Sequence, residues 1–206
     1  MKKISTLLSI LILSLTVWFS FNDLMPSSDK SIERTGFSIN NALNHLKIIS
    51  EKPHYTSSKY HQDVQDYIVN ELNKMGLETE IQNQVVLNSR RVGTNAANII
   101  GTIKGSRKGK SLVLLTHYDS SAHSSFGASD AGSGIVTILE GFRVFLSNNK
   151  TPINDIHLVF TDAEEMGLLG AEAFVKNHNL IDNVGLVLNF EARGSGGPSY
   201  MLMETN

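Results

Sequence analysis

Apolar residues recur at helical spacing in some stretches of the chain and run together without interruption in others. In residues 40–50, Leu43, Leu46 and Ile49 predict a helix that Pro53 stops. Val64, Tyr67, Ile68, Leu72 and Met75 predict a second helix, closed by Gly76. Leu77 to Val86 and Ala97 to Lys104 read as strands, and residues 105–111 as a solvated hairpin turn. From Leu112 the pattern becomes that of a buried, largely parallel sheet, with short continuous apolar runs separated by helices. Leu112 to Leu115 is the first run, Ile156 to Phe160 the second and Leu186 to Phe190 the third. Between them, Ile135, Ile138, Leu139, Phe142, Phe145 and Leu146 mark an amphipathic helix, and another is expected from about Leu168 to Asn177. Tyr200 to Met203 begins a further strand. Strand, helix, strand, helix, strand predicts an α/β domain.

The N-terminus has a different pattern. Lys2 and Lys3 precede an uncharged apolar run from Ile4 to Phe21, which reads as a secretory signal or an N-terminal membrane anchor. The two lysines would stay cytoplasmic and the rest of the chain would face outward, an extracytoplasmic location. Residues 1–25 are therefore assigned to targeting or anchoring, 26–36 to a polar linker and 37–206 to the folded domain.

Composition narrows the chemistry. The chain has 206 residues, a formal charge of -2 and no Cys. Without a basic block it lacks the electrostatic footprint of a nucleic-acid binder, so no nucleic-acid partner is expected. Without Cys, disulfides, thiolate nucleophiles and Cys-type zinc sites are excluded, and any metal must be held by His and carboxylates. Gly105-Ser-Arg-Lys-Gly109-Lys110-Ser111 looks like a phosphate loop, but it has three residues between its glycines where the loop needs four.

The metal-competent side chains share one location. His117 and Asp119 follow the first buried strand, Asp130 precedes the next helix, Glu164 and Glu165 follow the second strand, and Glu191 follows the third. All fall at carboxyl ends of strands, the edge where open α/β sheets bind ligands. Carboxylates crowded into one crevice repel one another unless a cation or protons compensate. One His among several carboxylates suits Zn²⁺. His117 would ligate through one ring nitrogen while Asp119 fixes its tautomer. Asp130 lies among small residues from Gly127 to Gly134 and is the natural bridging ligand. One of Glu164 and Glu165 would bind metal while the other serves as general base. Taken singly, each feature has a bland explanation as a turn, a dipole partner or a solvated strand end; their joint order on one sheet edge is what points to a site.

His117-Tyr118-Asp119-Ser120, Gly127-Ala-Ser-Asp130-Ala-Gly-Ser-Gly134, Phe160-Thr-Asp162-Ala-Glu164-Glu165-Met-Gly-Leu-Leu-Gly170 and Asn189-Phe-Glu191-Ala-Arg193-Gly194 together resemble the co-catalytic zinc aminopeptidases of metallopeptidase family twenty-eight. The likeness runs from about Ala42 to Asn206. It is greatest to the membrane-anchored branch near the endoplasmic-reticulum and vacuolar enzymes. The resemblance implies a three-layer, mixed, largely parallel sheet with helices on both faces, in the phosphorylase/hydrolase-like arrangement of the zinc peptidases. It also implies a peptide substrate and two zinc ions. Asp130 would bridge the ions, His117 and Glu191 would complete one site, Glu165 would bind the other, and Glu164 would be the general base.

The family pattern also calls for a later His at the Glu165 site, and no His follows Glu191. His123, in the loop between His117 and Asp130, is the local candidate to replace it. The chain accordingly reads as the N-terminal part of a peptidase domain whose C-terminal part is missing. Three functions remain in view: a zinc aminopeptidase, a one-zinc glutaminyl cyclase-like activity on the same scaffold, and an inactive remnant. Arg193 would either contact substrate or shape the Glu191 loop.

Overall fold

The computed structural model describes residues 2–24, 36–89, 91–122 and 124–192. The expected strand from Tyr200, Arg193, His123 and most of the 26–36 linker lie outside the described residues.

The chain divides into two units. In the first, the N-terminal apolar run forms α1 (Lys2–Leu24). Leu7, Leu11, Leu13, Val17 and Phe19 all stand exposed, so the helix is apolar on every side. A helix of that kind is stable only in apolar surroundings. Among the described residues no helix is long and apolar enough to cross a membrane.

The second unit is an α/β domain whose elements follow in the order α2 (Ile39–Ile49), α3 (Lys59–Lys74), β1 (Glu78–Leu87), β2 (Gly93–Ile103), β3 (Ser111–His117), α4 (Gly132–Ser147), β4 (Ile156–Thr161), α5 (Leu169–Asn177) and β5 (Val184–Asn189). A short 3-10 helix, Asn179–Asn183, leads into β5. The helix starts are set by serine caps: the Ser38 side chain accepts from the Asn41 amide and the Ser58 side chain from the His61 amide. The Ser58 cap explains why α3 begins upstream of its first predicted apolar position, Val64.

The five strands lie in the order β1-β2-β4-β3-β5. β1 with β2 and β2 with β4 are antiparallel, whereas β4 with β3 and β3 with β5 are parallel. The sheet is thus mixed, and its parallel half is the one carried by the continuous apolar runs. One expectation is corrected: residues 105–111 do turn, but not as a hairpin, because β2 pairs with β4 and the chain crosses over to reach β3.

Alternation along the central strands sends neighbouring residues to opposite layers. Ile99, Leu158 and Phe160 pack with Ile49, Ile68, Leu72, Ile135 and Ile138 beneath α2, α3 and α4. Ile100, Val113 and Val159 pack on the other face with Phe174 of α5. Each fully buried Leu or Ile here contributes roughly 1.5–3 kcal/mol relative to an exposed one. Helices cover both faces of the central strands, and β5, whose Leu186, Val187 and Leu188 stand exposed, is placed by its parallel pairing with β3, so that the carboxyl ends of β3, β4 and β5 open on a common edge.

Candidate metal centre

That edge gathers the predicted residues. His117 ends β3 and is buried, with its Nε2 2.8 Å from Asp130 Oδ1 and 3.7 Å from Glu191 Oε1. The ligand atoms of His117, Asp130 and Glu191 lie within 4.8 Å of one another, the one such group among the described residues. One imidazole nitrogen and two carboxylate oxygens at that separation match the donors that hold Zn²⁺ with an open position.

Local structure explains the placement. Asp130 precedes α4, where the Gly132 amide donates to the Gly127 carbonyl and closes the small-residue loop. Gly134, in the first turn of α4, lets the helix approach β3 and the end of β5; a Cβ there would overlap the Thr116 hydroxyl and meet the Phe190 carbonyl. The Phe190 amide donates to the Leu115 carbonyl, which carries Glu191 back toward His117.

The second ring nitrogen, Nδ1, is 3.0 Å from the Asp119 carbonyl oxygen and 3.4 Å from its carboxylate. Asp119 therefore orients His117 through its main chain as well as its side chain. Its carboxylate also accepts from the amides of Glu164 at 3.0 Å and Glu165 at 3.2 Å. It thereby fixes the turn on which both glutamates stand. Ala163 in that turn has φ 54, and Gly170 packs so closely that a Cβ would overlap the Asp162 carbonyl. Glu164 is half-buried, whereas Glu165 is exposed and outside the three-residue group. Burial pushes the Glu165 carboxyl up, and the negative charge of Asp130 pushes it further against the opposing pull of His117.

The charges reinforce one another. Burial alone would lower the His117 pKa, but hydrogen bonding to Asp119 and Glu191 outweighs it and pushes the ring up to about 11. Burial pushes the Glu164 carboxyl up against the opposing pull of His117, and Glu191, Asp119 and Glu165 push it further. Burial would likewise raise Glu191, yet His117 and the Ala192 amide hold it below the usual carboxylate range. A pocket that draws a proton this strongly onto its imidazole is one in which a divalent cation competes for the same place.

Sequence reasoning missed a layer of polar residues behind the centre. Asp162, fully buried, accepts from His61 Nε2 at 2.8 Å and from the amides of Ala97 and Ala163, and its Oδ1 lies 3.1 Å from Thr56 Oγ1. His61 stacks on Tyr118 with ring centroids 4.8 Å apart. The hint available in the sequence was Asp162 itself, an acidic residue directly after a buried strand and two before Glu164.

A mixed α/β sheet, covered by helices on both faces of its central strands and carrying a His-and-carboxylate group at its carboxyl edge, is an arrangement suited to a metal-dependent hydrolase. A model of Peptidase family M28 matches residues 98–206, more than half of the chain, and the chain belongs to that family. A curated relative, the vacuolar membrane protease of Candida dubliniensis, is 33% identical over 171 residues, covering 78% of this chain and 18% of the relative. This chain spans between 11% and 24% of the lengths of curated relatives of that name. Among solved structures, Porphyromonas gingivalis glutaminyl cyclase matches with a TM-score of 0.66 at 22% identity, over 74% of this chain and 58% of that one. A Zn-dependent exopeptidase from Parabacteroides distasonis matches with a TM-score of 0.59 at 24% identity, over 69% and 57%. At these identities the structural likeness establishes the fold.

Proposed function

We propose that the chain carries the metal centre of a zinc-dependent exopeptidase that removes residues from the N-termini of peptides. The observation that carries this reading is the grouping of His117, Asp130 and Glu191 at one sheet edge, with Glu164 held beside it through Asp119. His117, Asp130 and Glu191 would hold one ion, and Asp130 with Glu165 would contribute to a second. Bound zinc supplies a Lewis acid for a carbonyl oxygen and lowers the pKa of water. Glu164 would accept the proton of the attacking water on its carboxylate and return it to the departing amino nitrogen. Its raised affinity for protons suits that exchange near neutral pH. Asp119 holds the Glu164 amide and the His117 ring together, so base and ligand keep a fixed relation.

A second reading is cyclisation of an N-terminal glutamine. It is favoured by the fold likeness to a glutaminyl cyclase and by the one three-residue group present among the described residues, since that reaction needs one ion. Incubating the zinc-loaded protein with peptides bearing N-terminal Leu or Gln separates the two. Release of a free amino acid, lost by ~10²–10⁴-fold in Glu164→Gln, supports the peptidase. A pyroglutamyl product without hydrolysis supports the cyclase, and zinc binding without either product supports a remnant.

We further propose that the chain associates with membranes through α1, with the domain outside the cytoplasm. The relatives' name, vacuolar membrane protease, and the apolar surface of α1 support this. Recovery of the chain in the membrane fraction, lost on deletion of residues 1–25, is the expected result.

A further inference from the structure

The polar layer behind the metal centre is built around one hydroxyl with two claims on its proton. Thr56 Oγ1 stands 3.3 Å from Asp119 Oδ2 and 3.1 Å from Asp162 Oδ1. Both neighbours are carboxylates, which only accept, and a threonine hydroxyl has a single proton to give. The side that receives it is decided by the other donors present. Asp162 Oδ1 already takes His61 Nε2–H at 2.8 Å and the Ala163 amide at 2.7 Å, which fill its two lone pairs. The Ala97 amide serves Oδ2. Asp119 Oδ2, by contrast, has the Glu165 amide at 3.2 Å as its other donor. His61 thus satisfies Asp162 and leaves the Thr56 proton for Asp119.

We propose that His61 is a positioning residue for the metal centre: by donating to Asp162 it directs the Thr56 hydroxyl onto Asp119, the residue that orients His117 and the Glu164–Glu165 turn. The inference rests on the zinc-centre reading above and extends it to α3, an element remote from the metal-competent motifs. Taking away the His61 donor turns the Thr56 proton toward Asp162. Asp119 then loses a hydrogen bond, and the ring and turn it steadies lose their fixed geometry. Burial magnifies the effect, because His61, Thr56, Asp119 and Asp162 are all shielded from water that could replace the lost donor.

The test is zinc affinity, measured by competition with a chromogenic chelator on the full chain in detergent micelles, beside a thermal melt of each variant. His61→Phe retains an aromatic ring against Tyr118 and removes the donor; it is expected to weaken zinc binding by ~10–100-fold, the range for loss of an outer-shell partner. His61→Gln, which restores an N–H, should recover most of the loss. Thr56→Val should weaken binding similarly, and the His61→Phe/Thr56→Val pair should bind no worse than Thr56→Val alone, since no hydroxyl proton remains to be redirected. A purely structural role for His61 would lower the melting temperature without this non-additivity. Wild-type affinity in His61→Phe, or losses in the double variant that multiply, would overturn the inference. If His61→Phe does not fold, Thr56→Val against Thr56→Ser decides: loss in the first and retention in the second support it, and wild-type affinity in Thr56→Val overturns it. Absence of zinc binding by the wild-type chain would instead overturn the metal-centre reading on which it rests.

Discussion

The same strands end very differently at the two edges of the sheet. At the carboxyl ends of β3, β4 and β5, His117, Asp119 and Asp162 are buried, and Glu164 and Glu191 are partly so. Backbone at Ala163 and Leu168 takes positive φ. At the amino ends of β3 and β4, the basic turn from Lys104 to Lys110 meets Asp155, which accepts from the Gly105 amide at 2.8 Å and lies 3.4 Å from an exposed Lys104. The amino edge pairs opposite charges in water. The carboxyl edge crowds like charges away from water and depends on neighbouring hydrogen bonds to hold them. A charged cluster becomes a candidate site where its arrangement costs folding energy, and only one edge has that property.

The comparison can be broken most decisively at His117. His117→Ala is expected to weaken zinc binding by more than ~100-fold, beyond the effect of outer-shell partners, as read by calorimetric titration. Lys104→Ala at the other edge should leave it unchanged.

Asp162→Ala should give the largest stability loss. It strands the Ala97 and Ala163 amides and His61 Nε2 in a buried setting, at about 3 kcal/mol or roughly 6–12 °C in melting temperature.

The pH dependence of the chelator-treated protein sharpens the contrast further. The His117 ring is raised from 6.5 to about 11 in the fold, so its contribution to stability is complete below pH 6.5 and is lost as pH rises toward 11. Glu164 and Glu165, also raised, act in the same direction above their ordinary range. Melting temperature should therefore fall as pH increases from 6.5 to 9, and zinc affinity should increase over the same interval as the proton on His117 becomes easier to displace. In His117→Ala the fall should be much reduced.

The smallest effect belongs to the amino edge. Lys104→Ala removes an exposed pair and should change stability by no more than ~0.5 kcal/mol in denaturant unfolding.

The residues that meet at the carboxyl edge were legible as candidates because strand ends announce themselves. A continuous apolar run followed by His117, by Glu164 and Glu165, or by Glu191 fixes both the element and its edge, and the four motifs in order supplied the family. The supporting layer was not legible. His61 meets Asp162 across 101 positions of sequence and Thr56 meets it across 106. Nothing in a helix-start His or a loop Thr reveals such a partner, since the contact exists only once α3 packs on the sheet. The hairpin expected at residues 105–111 failed for a related reason. Local sequence marks a turn, but which strands it joins side by side is settled by the whole sheet, where β4 enters between β2 and β3.

The central claim is that the carboxyl edge is a zinc centre. Its most direct test is the zinc content of the purified full chain after dialysis against micromolar zinc, measured by elemental mass spectrometry with His117→Ala alongside. At least one zinc ion per wild-type chain, absent from the variant, is predicted; a wild-type chain that retains no zinc, or a variant that retains as much, would contradict it.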